Sequence, residues 1–484
     1  MRIEEIVQSC SRHVDSHLTH MAADGGATRI AYPALAAAAQ ALAGKLAAAG
    51  LSQGHVVGIQ AEAAIDWVVW DMAASHLCAV LRVYPAPHRF DPAVRIAEDG
   101  LALLVSDRPE HAGAPGVCGL APAAFEPAMV DGSAPRALAP DLHSIVYSSG
   151  TTGREKVLMI SRAGASAALE WFGDAFHLGP ADRHVVFLPL SGFQQRQQIF
   201  ACLHTGADVV LCSYQRVMQA IRQYPPTFLL APPALYENIL SVAQPGLPGA
   251  ELPDLLGGAI RFMVTGMAPI RPRVMAAYWA AGLKLLEGYG LTECGIICCN
   301  TLDRHRVGTV GPLIDPDSLS LTEEGEIIVK QRYPLSLGYL GDDELNRSVH
   351  RADGAVMTGD VGHLDPDGFM ILDGRVKDMI VLPSGKKLHP GDVEHLLLQL
   401  SGVEDAVAVD NGAGVTVVLR VSGEPSDKAI REGLRRMDSP IDAAGAVSQI
   451  IFSDIALNAN PEFSTANMKL NRRLVARHFL GTGT

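Results

Sequence analysis

Short apolar runs separated by stretches long enough for a crossover helix recur along this chain, and that rhythm constrains its fold more than any other feature. Residues 31–50 are Ala- and Leu-rich helical sequence ending at Gly50, and His55-Val-Val-Gly-Ile-Gln60 then reads as a short buried strand. A helix from about Ala63 and strands at Val80–Tyr84 and Leu101–Ser106 continue the pattern. It returns at Val185–Leu188, Val209–Leu211, Thr227–Leu230 and Arg261–Val264. Antiparallel strands can be joined by a tight turn, whereas parallel strands need a long crossover that is usually helical. The rhythm therefore predicts an α/β fold in which two α/β subdomains with largely parallel sheets are stacked.

From Leu319 onward the pattern changes to Gly-punctuated strands such as Glu326–Lys330 and Gly368–Leu372, which predicts a small β-barrel-like subdomain. After Gly374-Arg-Val-Lys377 a compact α+β unit begins, with a helix over Val393–Leu400 and strands at Ala406–Val409 and Val415–Leu419. A chain of 484 residues exceeds one ordinary core. The expected division is a large N-terminal domain, 1–376, and a small C-terminal domain, 377–484. Residues 112–140 read as a Pro- and Ala-rich connection.

Charge and cysteine usage narrow the function classes. Phosphate backbones are bound by clustered Lys and Arg, so a net charge of -13 argues against a nucleic-acid partner or an anionic membrane surface. Any anionic ligand must meet a local basic pocket. The eight cysteines form no Cys-x-x-Cys pair, which points to reduced thiols in a cytoplasmic protein. The start, Met1-Arg-Ile-Glu-Glu-Ile6, lacks the pattern of a signal peptide. The most apolar window, Ile65–Val83, is interrupted by Asp71, Ser75, His76 and Arg82, so no membrane span is expected.

One segment carries chemistry. Ser144-Ile-Val-Tyr-Ser-Ser-Gly-Thr-Thr-Gly-Arg-Glu-Lys156 places hydroxyls, glycines and a lysine behind the end of a strand. Gly150 and Gly153 allow backbone N–H groups to approach an anion; Ser148, Ser149, Thr151 and Thr152 add hydroxyl donors, and Lys156 adds positive charge. Arg154 and Glu155 after Gly153 break the Walker pattern. A solvated Ser/Thr/Gly turn is the alternative for this segment taken alone.

Four further segments follow in order: Gly266-Met-Ala-Pro269, Gly288-Tyr-Gly-Leu-Thr-Glu293, Thr358-Gly-Asp360 and Gly374-Arg-Val-Lys-Asp-Met-Ile380. Together with the hydroxyl loop they resemble the adenylate-forming (ANL) superfamily, which includes acyl-CoA synthetases. The resemblance runs from about Thr28 to the C-terminus and implies an ATP- and Mg²⁺-dependent ligase. Such an enzyme turns a carboxylic acid into an acyl adenylate, releases pyrophosphate and forms a thioester with CoA.

By this resemblance the loop from Ser148 to Lys156 holds the outer phosphates of ATP, while Thr292 and Glu293 serve the α-phosphate and the metal. Asp360 accepts from the ribose hydroxyls with Arg375 beside it, and Gly266, Ala268 and Tyr289 lie near the nucleotide. Ser464-Thr-Ala-Asn-Met-Lys-Leu-Asn-Arg472 resembles the family's last motif, with Lys469 in the place of the catalytic lysine. Gly385 would line the pantetheine tunnel and Lys377 would sit at the hinge of a mobile C-terminal lid.

Three departures from the family pattern stand out: Glu155 and Val157 flank the loop lysine in place of Pro and Gly, and Gly192 replaces a bulky gating residue. Phe193 is the expected substitute gate, and Arg196 is read as either a substrate contact or, preferably, the partner of a buried acid. Two other readings remain open: transfer to the phosphopantetheine of an acyl carrier protein instead of CoA, and a catalytically impaired nucleotide-binding homologue.

Overall fold

The computed structural model describes residues 2–126, 139–149, 155–247, 249–382, 387–412, 414–423, 426–437, 442–457, 460–463 and 470–481. Its residues divide into two compact units, one formed by 1–150, 155–318 and 330–356, the other by 151–154, 319–329 and 357–484.

The larger unit holds two sheets. The first runs Gly295–Cys299, Leu285–Leu291, Phe262–Thr265, Phe228–Ala231, Arg183–Val186, Asp208–Leu211, His17–Met21, Ala27–Ala31, with its six inner strands parallel and both edge pairings antiparallel. The second runs Ser336–Tyr339, Glu155–Ser161, Leu142–Ser149, Val80–Val83, Val56–Gln60, Leu101–Ser106, Val117–Cys118. Its pairings are parallel from Leu142–Ser149 to the Val117 edge and antiparallel at the other end. The strands foreseen from the sequence are present, most of them shifted by only a residue or two.

Side-chain alternation decides what each sheet face touches. Val57 and Ile59 of the second sheet and Val186, Val209, Leu230 and Val264 of the first join one core with the helices Tyr32–Ala48, Ile65–His76, Arg162–Ala175 and Phe193–Thr205. The intervening residues Val185, Val210, Leu229 and Met263 face a separate core with Pro233–Val242 and Pro272–Ala280. Val56, Val80 and Leu104 do the same on the outer face of the second sheet, with Ile96 of the helix Pro92–Asp99. A strand buried on both faces reads as a continuous apolar run, which is why Leu101–Val105 carries no polar residue.

The shared helical layer contains a deeply buried charge pair. Arg196 on Phe193–Thr205 donates from Nε and Nη2 to both carboxylate oxygens of Asp71 on Ile65–His76, at 2.7 and 2.6 Å, and from Nη1 to Ser144 Oγ at 3.1 Å. The side chains are 1% and 2% exposed, and the guanidinium also stands over the rings of Trp67 and Phe193. Arg196 is thus the partner of a buried acid. Phe193 is spent on the same cluster, packed edge-on to His143 and 5% exposed, so the expected gate role is corrected: its ring lies in the core, held there by the cation it covers.

In the smaller unit the expected barrel-like piece takes the form of a four-stranded sheet, Leu319–Leu321, Glu326–Val329, Val356–Leu364, Met370–Arg375. A three-stranded sheet, Val403–Asp410, Val415–Val421 and Val447–Phe452, is packed on both faces. Ala406, Ala408, Val417 and Leu419 meet the helices Pro390–Leu398 and Asp427–Arg436, while Val407, Val409 and Val418 meet Arg472–Leu480. No helix among the described residues is long and apolar enough to cross a membrane.

Truncating one member of a buried ion pair strands the other charge in a low-dielectric layer. Asp71→Ala should therefore destabilise the large unit by about 3–5 kcal/mol in denaturant unfolding, and the Asp71→Leu/Arg196→Met double variant should recover most of that loss.

Candidate functional site

The candidate site grows from the ends of parallel strands. Phe262–Thr265 and Leu285–Leu291 are parallel neighbours, and ligands of open α/β sheets bind beyond the carboxyl ends of such strands. There Gly266 meets Gly288: a Cβ on Gly266 would lie 2.9 Å from the Gly288 carbonyl oxygen. The small residue foreseen beside a nucleotide is required by this approach. Between it and the half-buried Ala268 sits Met267, 38% exposed at φ +70°, a left-handed conformation that a non-glycine residue holds only when its surroundings enforce it.

The strand that carries buried Tyr289 turns back at residues 292–294 into Gly295–Cys299. The hairpin is tight: a Cβ on Gly290 would stand 2.1 Å from the Gly295 carbonyl oxygen. That closure presents Thr292 exposed and Glu293 half-buried. Gln331 secures the turn, donating from Nε2 to the Cys294 carbonyl at 2.7 Å while its Oε1 accepts from Leu335 N at 3.3 Å.

Lys156 reaches the same place from the second sheet. Leu142–Ser149 and Glu155–Ser161 pair antiparallel, with Ser148 opposite Lys156. The ammonium of Lys156 stands 5.4 Å from the centre of the Tyr339 ring, and the Tyr339 hydroxyl donates to Glu293 Oε1. His350 packs edge-on against that ring at 5.9 Å. Burial first, and then the Glu293 charge, pushes the Tyr339 phenol well above its ordinary pKa, so it remains a donor. Burial lowers His350, against an opposing pull from Glu293. Tyr339 and Gln331 escaped the sequence reading; the aromatic between Gly338 and Gly341 was the available signal.

In the smaller unit Asp360 and Arg375 are register partners across the antiparallel pair Val356–Leu364 and Met370–Arg375. Arg375 Nε donates to Asp360 Oδ1 at 2.6 Å. The Asp360 backbone N–H donates to Thr358 Oγ1, whose hydroxyl donates to the Ile327 carbonyl at 2.8 Å, so the Thr-Gly-Asp turn is tied to the neighbouring strand. Arg472 of the last motif pairs with Glu394 at 2.7 Å and Asp378 at 3.6 Å, close to Lys377 in the short turn Val376–Asp378.

The structure thus brings Lys156 and Glu293 together on one ring, sets Gly266 beside the Gly288–Tyr289 strand, and pairs Asp360 with Arg375. Gly150, Thr151, Thr152, Gly153, Gly385 and Lys469 lie outside the described residues, as do the side chains of Ser148 and Ser149. A metal would find oxygen donors here: Glu293 offers a carboxylate and Thr292 a hydroxyl, and no cluster of three acidic, His or Cys ligands occurs among the described residues. That set fits Mg²⁺, which binds through one or two carboxylates and the phosphates of its substrate.

Known proteins show what this chain is similar to. The profile of a family described as AMP-binding enzyme matches residues 8–340. The 3-[(3aS,4S,7aS)-7a-methyl-1,5-dioxo-octahydro-1H-inden-4-yl]propanoyl:CoA ligase of Mycobacterium tuberculosis is 32% identical over 287 residues, 56% of this chain and 54% of that protein, so the chain spans about half the length of this relative. The long-chain-fatty-acid–CoA ligase FadD15 of Mycobacterium bovis is 24% identical over 507 aligned residues, covering 89% of this chain and 82% of that one. The crystal structure of ATP-bound MatB from Rhodopseudomonas palustris shares the fold across 100% of both chains, with a TM-score of 0.78 at 23% identity.

One acid near the Arg375 turn gives a pH prediction. Asp392 is pushed up to about 6, first by burial and then by Asp373, with His395 opposing. The folded state therefore holds this proton more tightly than an unfolded chain, whose aspartate titrates near ~3.9. Its stabilising effect is complete below ~4 and is lost as pH rises through about 6. Asp392→Asn should raise protection of the helix Pro390–Leu398 in hydrogen exchange at pH 7 by about 1–2 kcal/mol, with allowance for partial exposure, and should flatten its slope between pH 4 and 6.

Proposed function

The chain belongs to the AMP-binding enzyme family, and from that premise we propose that it is an AMP-forming acid–CoA ligase. A carboxylate oxygen attacks the α-phosphorus of ATP, the bond to the bridging oxygen breaks and pyrophosphate leaves. In the second step the CoA sulfur bonds to the acyl carbon, its proton is released and AMP departs. The first step is needed because a free carboxylate has no leaving group better than oxide, whereas the adenylate has one.

The observation that carries the reading is the convergence of Lys156 and Glu293, from two different sheets, on the ring of Tyr339. A cation and a carboxylate held near each other suit a polyphosphate and its counter-ion. In this reading Lys156 and the hydroxyl loop, Ser148, Ser149, Thr151 and Thr152 with Gly150 and Gly153, hold the departing pyrophosphate. Thr292 follows the α-phosphate. When bound at Glu293, Mg²⁺ supplies charge neutralisation of the phosphates. Asp360, whose Oδ1 is engaged by Arg375 at 2.6 Å, accepts from the ribose hydroxyls, as a carboxylate can for two hydroxyls at once.

Residues 377–484 act as the moving lid in this scheme, Lys469 enters to neutralise charge in adenylate formation, and Gly385 lines the thiol's path. Gly266, Ala268 and Tyr289 border the adenine. The eight cysteines are all free, in keeping with a cytoplasmic setting. The names of the relatives support CoA as acceptor and leave the acid open.

The test is isotope exchange between pyrophosphate and ATP with Mg²⁺ and a panel of carboxylic acids, followed by addition of CoA and mass detection of the thioester. Acid-dependent exchange and a CoA thioester are expected. Exchange without a CoA product points to a carrier-protein phosphopantetheine, and no exchange with any acid points to an impaired nucleotide binder. Lys469→Ala should slow adenylate formation by about 10²–10³-fold while a preformed acyl adenylate still reacts with thiol; equal loss in both steps removes the role assigned to Lys469.

A further inference from the structure

Tyr339 lies outside all five segments that carry the family resemblance, yet it meets two of them, at Lys156 and at Glu293. Its position is built with care. Asn346 Oδ1 accepts from the Tyr339 backbone N–H at 2.7 Å, and Asn346 Nδ2 donates to the Tyr339 carbonyl at 2.8 Å, so one side chain from the helix Asp343–Val349 clamps both backbone groups. Tyr339 pairs with Leu158 in the sheet, and Leu340 N donates to the Val157 carbonyl at 2.8 Å, which fixes the ring beside Lys156. The residue is 2% exposed.

The ring lies between opposite charges. Lys156 meets its π face, and Glu293 accepts a hydrogen bond from its hydroxyl. Without such a spacer a lysine and a glutamate converging on one small volume would collapse into a direct pair, and the carboxylate would be lost to a cation of the protein itself.

From this we propose that Tyr339 is a positioning residue for metal–nucleotide binding: its hydroxyl fixes the Glu293 carboxylate with one oxygen engaged and the other left for Mg²⁺, and its ring holds Lys156 off that carboxylate. The proposal rests on the reading of Glu293 as the metal ligand and extends it to a residue outside the motif. Groups that orient a ligand in this way typically contribute roughly 10–100-fold to metal affinity. The same ring serves two charges, so loss of the hydroxyl alone and loss of the whole ring have different consequences. Without the hydroxyl the carboxylate swings; without the ring Lys156 also reaches Glu293.

The experiment titrates Mn²⁺ by electron paramagnetic resonance into the full chain with a non-hydrolysable ATP analogue, and Mg²⁺ into the exchange assay. Tyr339→Phe should weaken metal binding roughly tenfold or more while saturating Mg²⁺ restores the exchange rate to within about twofold of the parent. Tyr339→Leu should lose more than Phe and should not be restored by metal. Asn346→Ala, which frees the clamp, should fall between the two. Thermal unfolding without nucleotide separates a packing defect from these effects, since Phe fills the same volume.

The parent protein offers a readout that requires no variant. The ¹³Cζ resonance of ring-labelled Tyr339 should shift on metal–nucleotide addition and stay put with nucleotide alone. Unchanged or tightened metal binding in Tyr339→Phe, or a silent Tyr339 resonance on saturation, overturns the proposal. Absence of any Mn²⁺–nucleotide binding by the parent, or normal binding by Glu293→Gln, instead overturns the assignment of Glu293 on which it rests.

Discussion

A helical layer pinned between two sheets is the constraint on which the large unit depends, and its strongest link is the Arg196–Asp71 pair. Both charges are removed from water, so each requires the other. The pair joins the helices Ile65–His76 and Phe193–Thr205, and through Ser144 it reaches the strand that ends at the hydroxyl loop. Apolar packing alone would let helices in such a layer slide by a turn. A bidentate ion pair with two rings against the guanidinium has one good geometry. His143, buried beside that cation, is held well below its ordinary pKa by burial first and by Arg196 next, and so adds no further charge to the layer.

With the layer fixed, the strand ends fall where chemistry can use them. Thr265 and Glu287 finish neighbouring parallel segments, and the tight contact between Gly266 and Gly288 follows from that register. The second sheet delivers Lys156 and, from its edge strand Ser336–Tyr339, the aromatic that stands between Lys156 and Glu293. In the smaller unit the same economy holds on another scale. Asp360 and Arg375, fifteen residues apart, become direct cross-strand partners because a hairpin folds one strand onto the next.

Much of this was legible beforehand. The period of apolar runs gave the strands and the parallel sheets, since a residue buried on both faces of a strand leaves a mark that a single sequence carries. Gly266, read as a small residue beside the nucleotide, is a site of close approach to the Gly288 backbone. Phe193 was misread for an instructive reason. Its place after Gly192 suggests a residue at a pocket mouth, but the helix Phe193–Thr205 begins there, and the first turn of a helix directs side chains by its own periodicity. Arg196, three residues on, shares that face, so ring and cation go inward together.

What the sequence by itself determined is the class of the fold, the order of its segments and the types of group available for binding a nucleotide, because periodicity, turn chemistry and side-chain donors are local properties. Only the tertiary structure decided which acid Arg196 answers, that Arg375 engages Asp360, and that Tyr339 links Lys156 to Glu293. Those partners lie far apart along the chain, and no local property of a lysine, a tyrosine or a glutamate specifies the one it will meet. In the large unit their meeting is fixed by the stacking of two sheets on shared helices, a long-range outcome of burying apolar surface, and in the smaller unit by a hairpin.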